Sequence, residues 1–191
     1  MIKGFWRYLK NIKNKLVFGQ CGRNVYIRPG CQIVRPRLIS LGDNVRIGKN
    51  ADIYVHPKHR GTKEFILRIG DNVHIGNYNI IAARNSVVIE ENVLLGPGVI
   101  IVDHSHRYEN VEVPVKSQEV SEEGSVRIER DCWIGANAFI FPNVTIGRHA
   151  VIGANSVVKQ DIPAYSVAVG APARVVKRYD SNRREWVKSD E

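Results

Sequence analysis

The strongest constraint in this sequence is a six-residue repeat between Ile128 and Pro163. An aliphatic residue returns at every sixth position, namely at Ile128, Ile134, Ile140, Ile146, Ile152 and Val158. A helix repeats about every 3.6 residues and a strand every two, so neither element alone explains the spacing. Six-residue repeats are typical of a parallel β-helix, and we therefore predict an all-β solenoid.

The repeat also indicates how the chain turns. A small or aliphatic residue follows each of the six aliphatic residues by four positions, and Asn or Asp precedes it in five of these units. Asn, Asp and Gly adopt a positive φ at low cost, so they suit the corners between short strands. Three units would close a coil of about eighteen residues. Coils stacked about 4.8 Å apart would then bury one continuous aliphatic core.

The 191 residues suffice for one domain with short appendages. We predict a basic amphipathic helix over residues 1–20, a β-helix over 21–163, and an exit segment with a short tail over 164–191. Two stretches interrupt the repeat, His56–Arg68 and a polar loop over residues 103–127. Long loops within compact folds are usually functional, so we expect the chemistry near the second interruption.

Both ends of the chain differ in composition from the repeats. In residues 1–18 one predicted helical face carries the apolar residues Phe5, Trp6, Leu9, Ile12 and Leu16. The lysines and arginines around them are too frequent for a transmembrane span or a signal sequence. This segment suits capping of the first coil and peripheral contact with an anionic membrane, and the two roles are compatible. From Asp180 onwards we expect a charged tail or a short helix.

The chain carries a formal net charge of +9 at pH 7. Such a balance suits nucleic acid, anionic lipid or a phosphorylated ligand, and equally an ordinary basic surface. No nucleic-acid-binding motif or aromatic platform accompanies the charge, so we expect no nucleic-acid partner. The three cysteines are odd in number and widely spaced, which suits a reducing, cytoplasmic compartment. Cys132 occupies an inward position of the repeat and is expected in the core.

Two histidines, His104 and His106, stand where the repeat gives way to the long loop. A neutral imidazole is the usual general base for a hydroxyl group, although a loop histidine is more often simply exposed to solvent. In an extended segment, His106 would point to the same side as His104, and Asp103 would face away from the His104 ring. Glu109 is then a weak candidate to orient that ring.

A family resemblance is carried by four segments, DHSHRYE, WIGANAFIFPNVTIG, GANSVVKQDIP and VAVGAPARVV. They resemble the sugar O-acetyltransferase branch of the left-handed β-helix acyltransferases, which includes maltose, galactoside and nodulation-factor acetyltransferases and exopolysaccharide enzymes. The similarity covers roughly residues 20–178. It implies a left-handed fold, acetyl-CoA as co-substrate, a saccharide hydroxyl as acceptor, and a homotrimer with active sites between subunits. It also implies a role in surface-polysaccharide or lipopolysaccharide synthesis, and an amine acceptor remains open.

The resemblance assigns roles to individual residues. It makes His104 the general base, and it gives His106 a supporting or acceptor-binding role. The cofactor-binding positions are Trp133, Ala136, Ala154, Lys159, Gln160, Arg174 and Lys177. The two alanines would lie against the pantetheine arm, and the last four residues would face the adenosine and its phosphates. Gln160 stands where the family often has lysine, and Trp133 equally suits packing beside the loop.

On the acceptor side, the resemblance places Asn77 in a segment that contacts acceptor hydroxyls. Arg84 and Asn85 lie on the next corner and are further acceptor-binding candidates. Each of the three also suits an ordinary turn.

Two other kinds of protein are compatible with the repeat. A γ-type carbonic anhydrase would need three imidazoles around zinc with an open water position. The chain has His74, His104 and His106 but lacks the HxxxxH pair of that family, so we predict no metal site. The second alternative is a non-catalytic scaffold or membrane-surface protein, although stacking alone requires neither the loop histidines nor the VAVGAPARVV segment.

Overall fold

A computed structural model describes the chain at residues 14, 16–57, 61–120 and 124–189. The helix predicted over residues 1–20 falls largely outside these residues. Within them, short strands wind into a left-handed parallel β-helix, which confirms the predicted fold class. No helix in the described part of the chain has both the length and the apolar composition needed to cross a membrane.

The strands form three sheets, one for each side of the coil. Sheet 1 contains β1 (Gln20–Cys21), β4 (Ile39–Leu41), β7 (Leu67–Ile69), β10 (Val87–Ile89), β13 (Val126–Ile128) and β16 (Val144–Ile146). Sheet 2 contains β2 (Tyr26–Ile27), β5 (Arg46–Ile47), β8 (His74–Ile75), β11 (Leu94–Leu95), β14 (Trp133–Ile134), β17 (Val151–Ile152), β19 (Ser166–Gly170), β20 (Ala173–Asp180) and β21 (Glu185–Lys188). Sheet 3 contains β3 (Gln32–Val34), β6 (Asp52–Val55), β9 (Ile80–Ala83), β12 (Ile100–Val102), β15 (Phe139–Ile140) and β18 (Val157–Val158). Short 3-10 helices lie at Pro36–Leu38 and Val115–Ser117.

Parallel pairing stacks the inward residues into one core. Leu95 of β11 pairs with Ile134 of β14, which in turn pairs with Ile152 of β17. All six aliphatic residues of the C-terminal repeat are at most 1% exposed, as predicted. Burying one such side chain contributes about 1.5–3 kcal/mol. Cys132 lies in the same core, and burial raises the pKa of its thiol to about 12, as a packing role requires.

The corner between sheets 1 and 2, the first corner, is built from a polar ladder. Its first five members have φ between 56° and 64°, and they are Asn24, Asn44, Asn72, Asn92 and Asp131. The side-chain Nδ2 of each asparagine donates to the side-chain oxygen of the next member at 3.0–3.1 Å. Asparagine therefore has two roles here, since it tolerates the left-handed backbone and its side chain joins adjacent coils.

Replacing Asn72 separates these two roles. Asn72→Ala removes two ladder bonds and the short polar side chain that helps asparagine adopt the left-handed region, so we expect a loss of about 2 kcal/mol in the free energy of unfolding. Asn72→Gly keeps the backbone conformation accessible and should cost about 1 kcal/mol. Denaturant unfolding of the three proteins tests this order. Equal stability of the alanine variant and the wild type would contradict it.

The corner between sheet 3 and sheet 1 of the following coil, the third corner, carries both interruptions. Paired residues of adjacent coils are 18 or 20 positions apart in regular coils, but 28 and 39 positions apart where the two interruptions occur. Each interruption falls between two consecutive strands, since β6 ends at Val55 before β7 begins at Leu67, and β12 ends at Val102 before β13 begins at Val126. The last two residues of each predicted interruption instead belong to β7 and β13.

The C-terminal segment differs from the charged tail or short helix expected after Asp180. β20 and β21 pair antiparallel beside β19 and extend sheet 2. The Asp180 carboxylate accepts hydrogen bonds from the N–H groups of Asn182 and Arg183 at 2.8 and 3.1 Å, which builds the intervening turn and lowers the pKa of Asp180. Tyr179 and Trp186 then pack edge to face across the hairpin, with ring centroids 5.6 Å apart.

Candidate active site

The centre of the candidate site is a buried carboxylate at the start of the long loop. Asp103 follows β12 directly and is fully buried. Its carboxylate accepts hydrogen bonds from the backbone N–H groups of Arg84, Asn85 and Ser86 at 2.7–2.9 Å. These residues form the third-corner turn of the preceding coil. Three converging N–H groups create a concave anion site, so a buried negative charge is well accommodated there.

The same carboxylate orients His104. The His104 Nδ1 lies 2.8 Å from Asp103 Oδ1, and 22% of the His104 side chain is exposed. Because a carboxylate only accepts hydrogen bonds, Nδ1 carries the proton and Nε2 keeps its lone pair. His104 therefore presents its basic nitrogen on the side of the ring away from Asp103, as a general base requires.

The expectation that Asp103 faces away from the His104 ring is wrong. Consecutive side chains point to opposite sides only in an extended backbone, and the extended segment ends at Val102. Beyond it the chain turns, which brings two consecutive side chains together. Glu109, the candidate from the sequence for orienting the ring, instead accepts a hydrogen bond from the Tyr108 N–H at 3.0 Å.

His106 occupies a different environment from His104. It is exposed on the loop and forms an isolated antiparallel bridge with Val120. The neighbouring Arg107 N–H donates to the Glu119 carbonyl at 3.0 Å, so the two arms of the loop pair at this point. No hydrogen bond joins the two histidines in the described residues, and of the two it is His104 that contacts the Asp103 carboxylate.

His56 lies on the same corner as Arg84 and Asp103 and is exposed, as expected for a solvated loop residue. It follows β6 directly, and its backbone N–H donates to the Ala83 carbonyl beside Arg84. Its Nδ1 accepts a hydrogen bond from Arg35 Nη1 at 2.7 Å. Strand register could have predicted this position from the sequence. His56, Arg84 and Asp103 each follow a strand of sheet 3, so they must lie on one corner.

His56 should therefore titrate abnormally. Burial, and then the nearby charges of Arg35, His104 and Arg84, lower its pKa below the ordinary value. These causes disfavour the protonated imidazole, so His56 is protonated only at a lower pH than an ordinary histidine. Histidine NMR titration should give a pKa below 6.5 and a higher pKa in Arg35→Gln. An unchanged His56 pKa in that variant would contradict the assignment.

The remaining predicted residues lie mostly on other parts of the coil. Asn77, Ala136 and Ala154 lie at the second corner, between sheets 2 and 3. The four residues of β9 separate this corner from Arg84, a distance of about 13 Å. The chain thus brings Arg84 and Asn85 together with His104, while Asn77 and the two alanines lie at the opposite end of sheet 3.

Asn77 has a clear structural contact. Its Oδ1 accepts a hydrogen bond from the Lys49 N–H at 2.9 Å, which leaves Nδ2 as the group available to a ligand. The positive φ of this corner belongs to Tyr78, at 60°, and its side chain is 61% exposed. A tyrosine held in the left-handed region is uncommon, and the sequence reading missed it because asparagines stand on both sides.

The predicted cofactor residues are spread over the C-terminal coils and the hairpin. Trp133 is 53% exposed on the outer face of β14, and its ladder neighbour Leu94 is 44% exposed. Lys159 Nζ lies 5.0 Å from the centre of the Phe141 ring, and Gln160 beside it is exposed. Arg174 Nη1 donates to the Ala173 carbonyl at 3.0 Å, and Lys177 is exposed on β20.

Metal ligation was the chemistry of one alternative. In the part of the chain that the structure describes, no group of three or more His, Cys, Asp or Glu side chains is arranged to hold a metal ion. His74 lies on β8 of sheet 2, whereas His104 and His106 follow sheet 3.

Fold and site together define a class of protein, a hexapeptide β-helix with a carboxylate-oriented histidine at a loop-bearing corner. The family model of bacterial transferase hexapeptides, six repeats, matches residues 125–160. Galactoside O-acetyltransferase of Escherichia coli is 35% identical over 182 residues, covering 92% of this chain and 71% of that protein. The chain belongs to the hexapeptide-repeat acyltransferase family.

Other relatives and a solved structure agree with this assignment. WbbJ of Escherichia coli, named for lipopolysaccharide O-acetyl transfer, is 34% identical over 119 residues, which cover 59% of this chain. The chain spans 61% of WbbJ and 33% of an acetyltransferase of Mycobacterium tuberculosis that is 40% identical over 52% of this chain. The crystal structure of AntD, an N-acyltransferase from Bacillus cereus with dTDP and 3-hydroxybutyryl-CoA, has a TM-score of 0.75 and 25% identity. That similarity covers 91% of this chain and 90% of AntD.

Proposed function

We propose that the protein is an acetyl-CoA-dependent O-acetyltransferase that modifies a saccharide hydroxyl. The observation that carries this proposal is the 2.8 Å contact between the buried Asp103 carboxylate and His104, which leaves Nε2 as a base. The names of the galactoside and lipopolysaccharide O-acetyltransferase relatives support the reaction class.

In this reaction His104 acts on the acceptor hydroxyl. Nε2 accepts the hydroxyl proton as the oxygen attacks the acetyl carbonyl, and it then passes that proton to the departing sulfur. Asp103 stabilises the imidazolium that exists between the two transfers. Acetyl-CoA supplies the activated acetyl group. The products are the acetylated sugar and the free CoA thiol, so atoms and protons balance.

The residues at the second corner suit the narrow arm of acetyl-CoA. Ala136 is partly exposed and Ala154 is exposed, and neither has a side chain beyond Cβ that would hold a ligand off the backbone. The cations Lys159, Arg174 and Lys177 would face its phosphates, with Gln160 and Trp133 beside them. The described residues thus fit acetyl-CoA, and we assign them to its binding.

A homotrimer would bring the two corners together. Within one chain, the base and the alanines lie at opposite ends of sheet 3, as described above. In a ring of three subunits, the third corner of one chain can face the second corner of the next. Sedimentation equilibrium should give three times the mass of the chain, and a monomer with full activity would overturn this part of the proposal.

An amine is the second candidate acceptor, favoured by the structural similarity to the N-acyltransferase AntD. The measurement that tests both acceptors is release of the CoA thiol from acetyl-CoA with a panel of neutral sugars, amino sugars and sugar phosphates. Mass spectrometry of the product then distinguishes an ester from an amide. Failure of the protein to bind CoA would overturn the acetyltransferase proposal as a whole.

Residues 1–18 support a location at the cytoplasmic face of a membrane, where lipid-linked saccharide precursors would be accessible. This part of the proposal rests on their basic and aromatic composition. In a sedimentation assay with anionic liposomes at low salt, the full chain should pellet with the liposomes. A variant lacking residues 1–18 should stay in the supernatant. Equal behaviour of the two proteins would contradict membrane contact.

A further inference from the structure

An open cleft adjoins the His104 site at the third corner. It has a volume of about 720 Å³. One wall is the loop segment 61–66, and the other is the turn Arg84–Ser86 together with Arg68. The turn is the one whose N–H groups bind the Asp103 carboxylate at 2.7–2.9 Å. Asp103 therefore fixes both the base and one wall of the cleft.

The cleft has an excess of positive charge. Lys63, Arg68 and Arg84 line it, against the single carboxylate of Glu64. Among the described residues, the ion pairs lie elsewhere, and none involves these three cations. Cations that converge on a cleft without a protein counter-ion favour an anionic ligand.

Two donors in the turn also lack acceptors. Arg84 Nε and Asn85 Nδ2 are shielded from solvent and have no hydrogen-bond partner in the described part of the chain. Buried donors without a partner are unfavourable and uncommon in folded proteins. An anion in the cleft would supply the missing acceptor oxygens after a small movement of either side chain.

The cleft is electrostatically coupled to the catalytic corner. His56 lies close enough to Arg84 and His104 for the charges of both to lower its pKa. Arg84 lines the cleft, and its backbone N–H donates to the Asp103 carboxylate, so its positive charge lies at the end of the cleft nearest His104. A ligand held there would extend from the cleft to His104.

We propose that this cleft binds the anionic group of the acceptor, a phosphate or a carboxylate, so that the substrate class is a negatively charged saccharide. The proposal rests on the acetyltransferase function and adds the charge of the acceptor to it. The binding group would meet Arg84 and Lys63, and the acetylated hydroxyl would lie beside His104 Nε2.

The test compares neutral sugars with related sugars that carry an anionic group. Methyl glycosides, 1-phosphates and uronates of glucose, galactose and mannose are supplied with acetyl-CoA, and kcat/KM is measured from CoA thiol release. We expect a charged member to exceed its neutral counterpart at least tenfold. In Arg84→Gln the ratio of charged to neutral kcat/KM should fall at least tenfold. Lys63→Gln should also lower this ratio, and it should leave the fold intact because Lys63 is exposed. Arg28→Gln, an exposed arginine of the first coil, is the matched control.

Calorimetric binding of the same sugars to the full chain separates the two proposals. Arg84-dependent binding of a charged sugar without CoA release would support the cleft and overturn the acetyltransferase function. CoA release with equal kcat/KM for charged and neutral sugars would support the function and overturn the cleft proposal. An increase in the KM for acetyl-CoA in Arg84→Gln, with the charge ratio unchanged, would assign the cleft to the cofactor and also overturn it. Preference for the phosphate or for the uronate identifies the anion.

Discussion

Replacing His104 with alanine should lower kcat by about 10²–10⁴-fold, because the acceptor hydroxyl loses the base that removes its proton. CoA binding should be retained, since the residues assigned to acetyl-CoA lie on other corners and strands. The fold should also be retained, because the His104 side chain is partly exposed and lies outside the aliphatic core. Thiol release reports the rate, and calorimetry reports CoA binding.

His106→Ala is the matched control for this experiment. It removes a second imidazole from the same loop, but one that is exposed and not hydrogen-bonded to Asp103. We expect its kcat to stay within about tenfold of the wild-type value. Activity that survives in His104→Ala and is lost in His106→Ala would show that the other histidine is the base. Equal loss in both variants would point to the loop conformation instead.

The repeat could be predicted from sequence because each of its residues has one structural requirement. Ile134 and its equivalents must face inwards, and Asn72 or Asn92 must accept a positive φ, so residue type alone reveals position. These requirements recur in every coil, which makes the pattern readable even where loops interrupt it. The resemblance added the handedness and the choice of His104.

The contacts of the site were harder to predict because they depend on where regular structure ends. Asp103 and His104 meet only because the strand stops at Val102, and alternation gave the opposite expectation. His56 reaches the site through strand register, across an interruption that changes the spacing between coils. The pairing of β21 depends on one turn capped by Asp180, which composition does not distinguish from a charged tail.

Asp103→Asn should impair both catalysis and stability. The amide has one acceptor oxygen where the carboxylate has two, and its Nδ2 would face donors on the turn. Either the His104 Nδ1 or the N–H groups of Arg84–Ser86 then lose their acceptor. We expect kcat to fall by at least about 10²-fold through misorientation of the imidazole. The free energy of unfolding should fall by about 2–4 kcal/mol, because charged hydrogen bonds are lost and a donor is left buried.

Glu109→Gln provides the control, since it makes the same chemical change at the carboxylate that the sequence nominated for orienting His104. Glu109 accepts only the N–H of its neighbour Tyr108 at an exposed position, so its kcat and stability should stay near the wild-type values. Denaturant unfolding and thiol release are measured on the wild type, Asp103→Asn and Glu109→Gln. Should Asp103→Asn fold and react like the wild type, the carboxylate would be dispensable. The coupling of base, turn and cleft through Asp103 would then be wrong, because one buried group could not be holding all three.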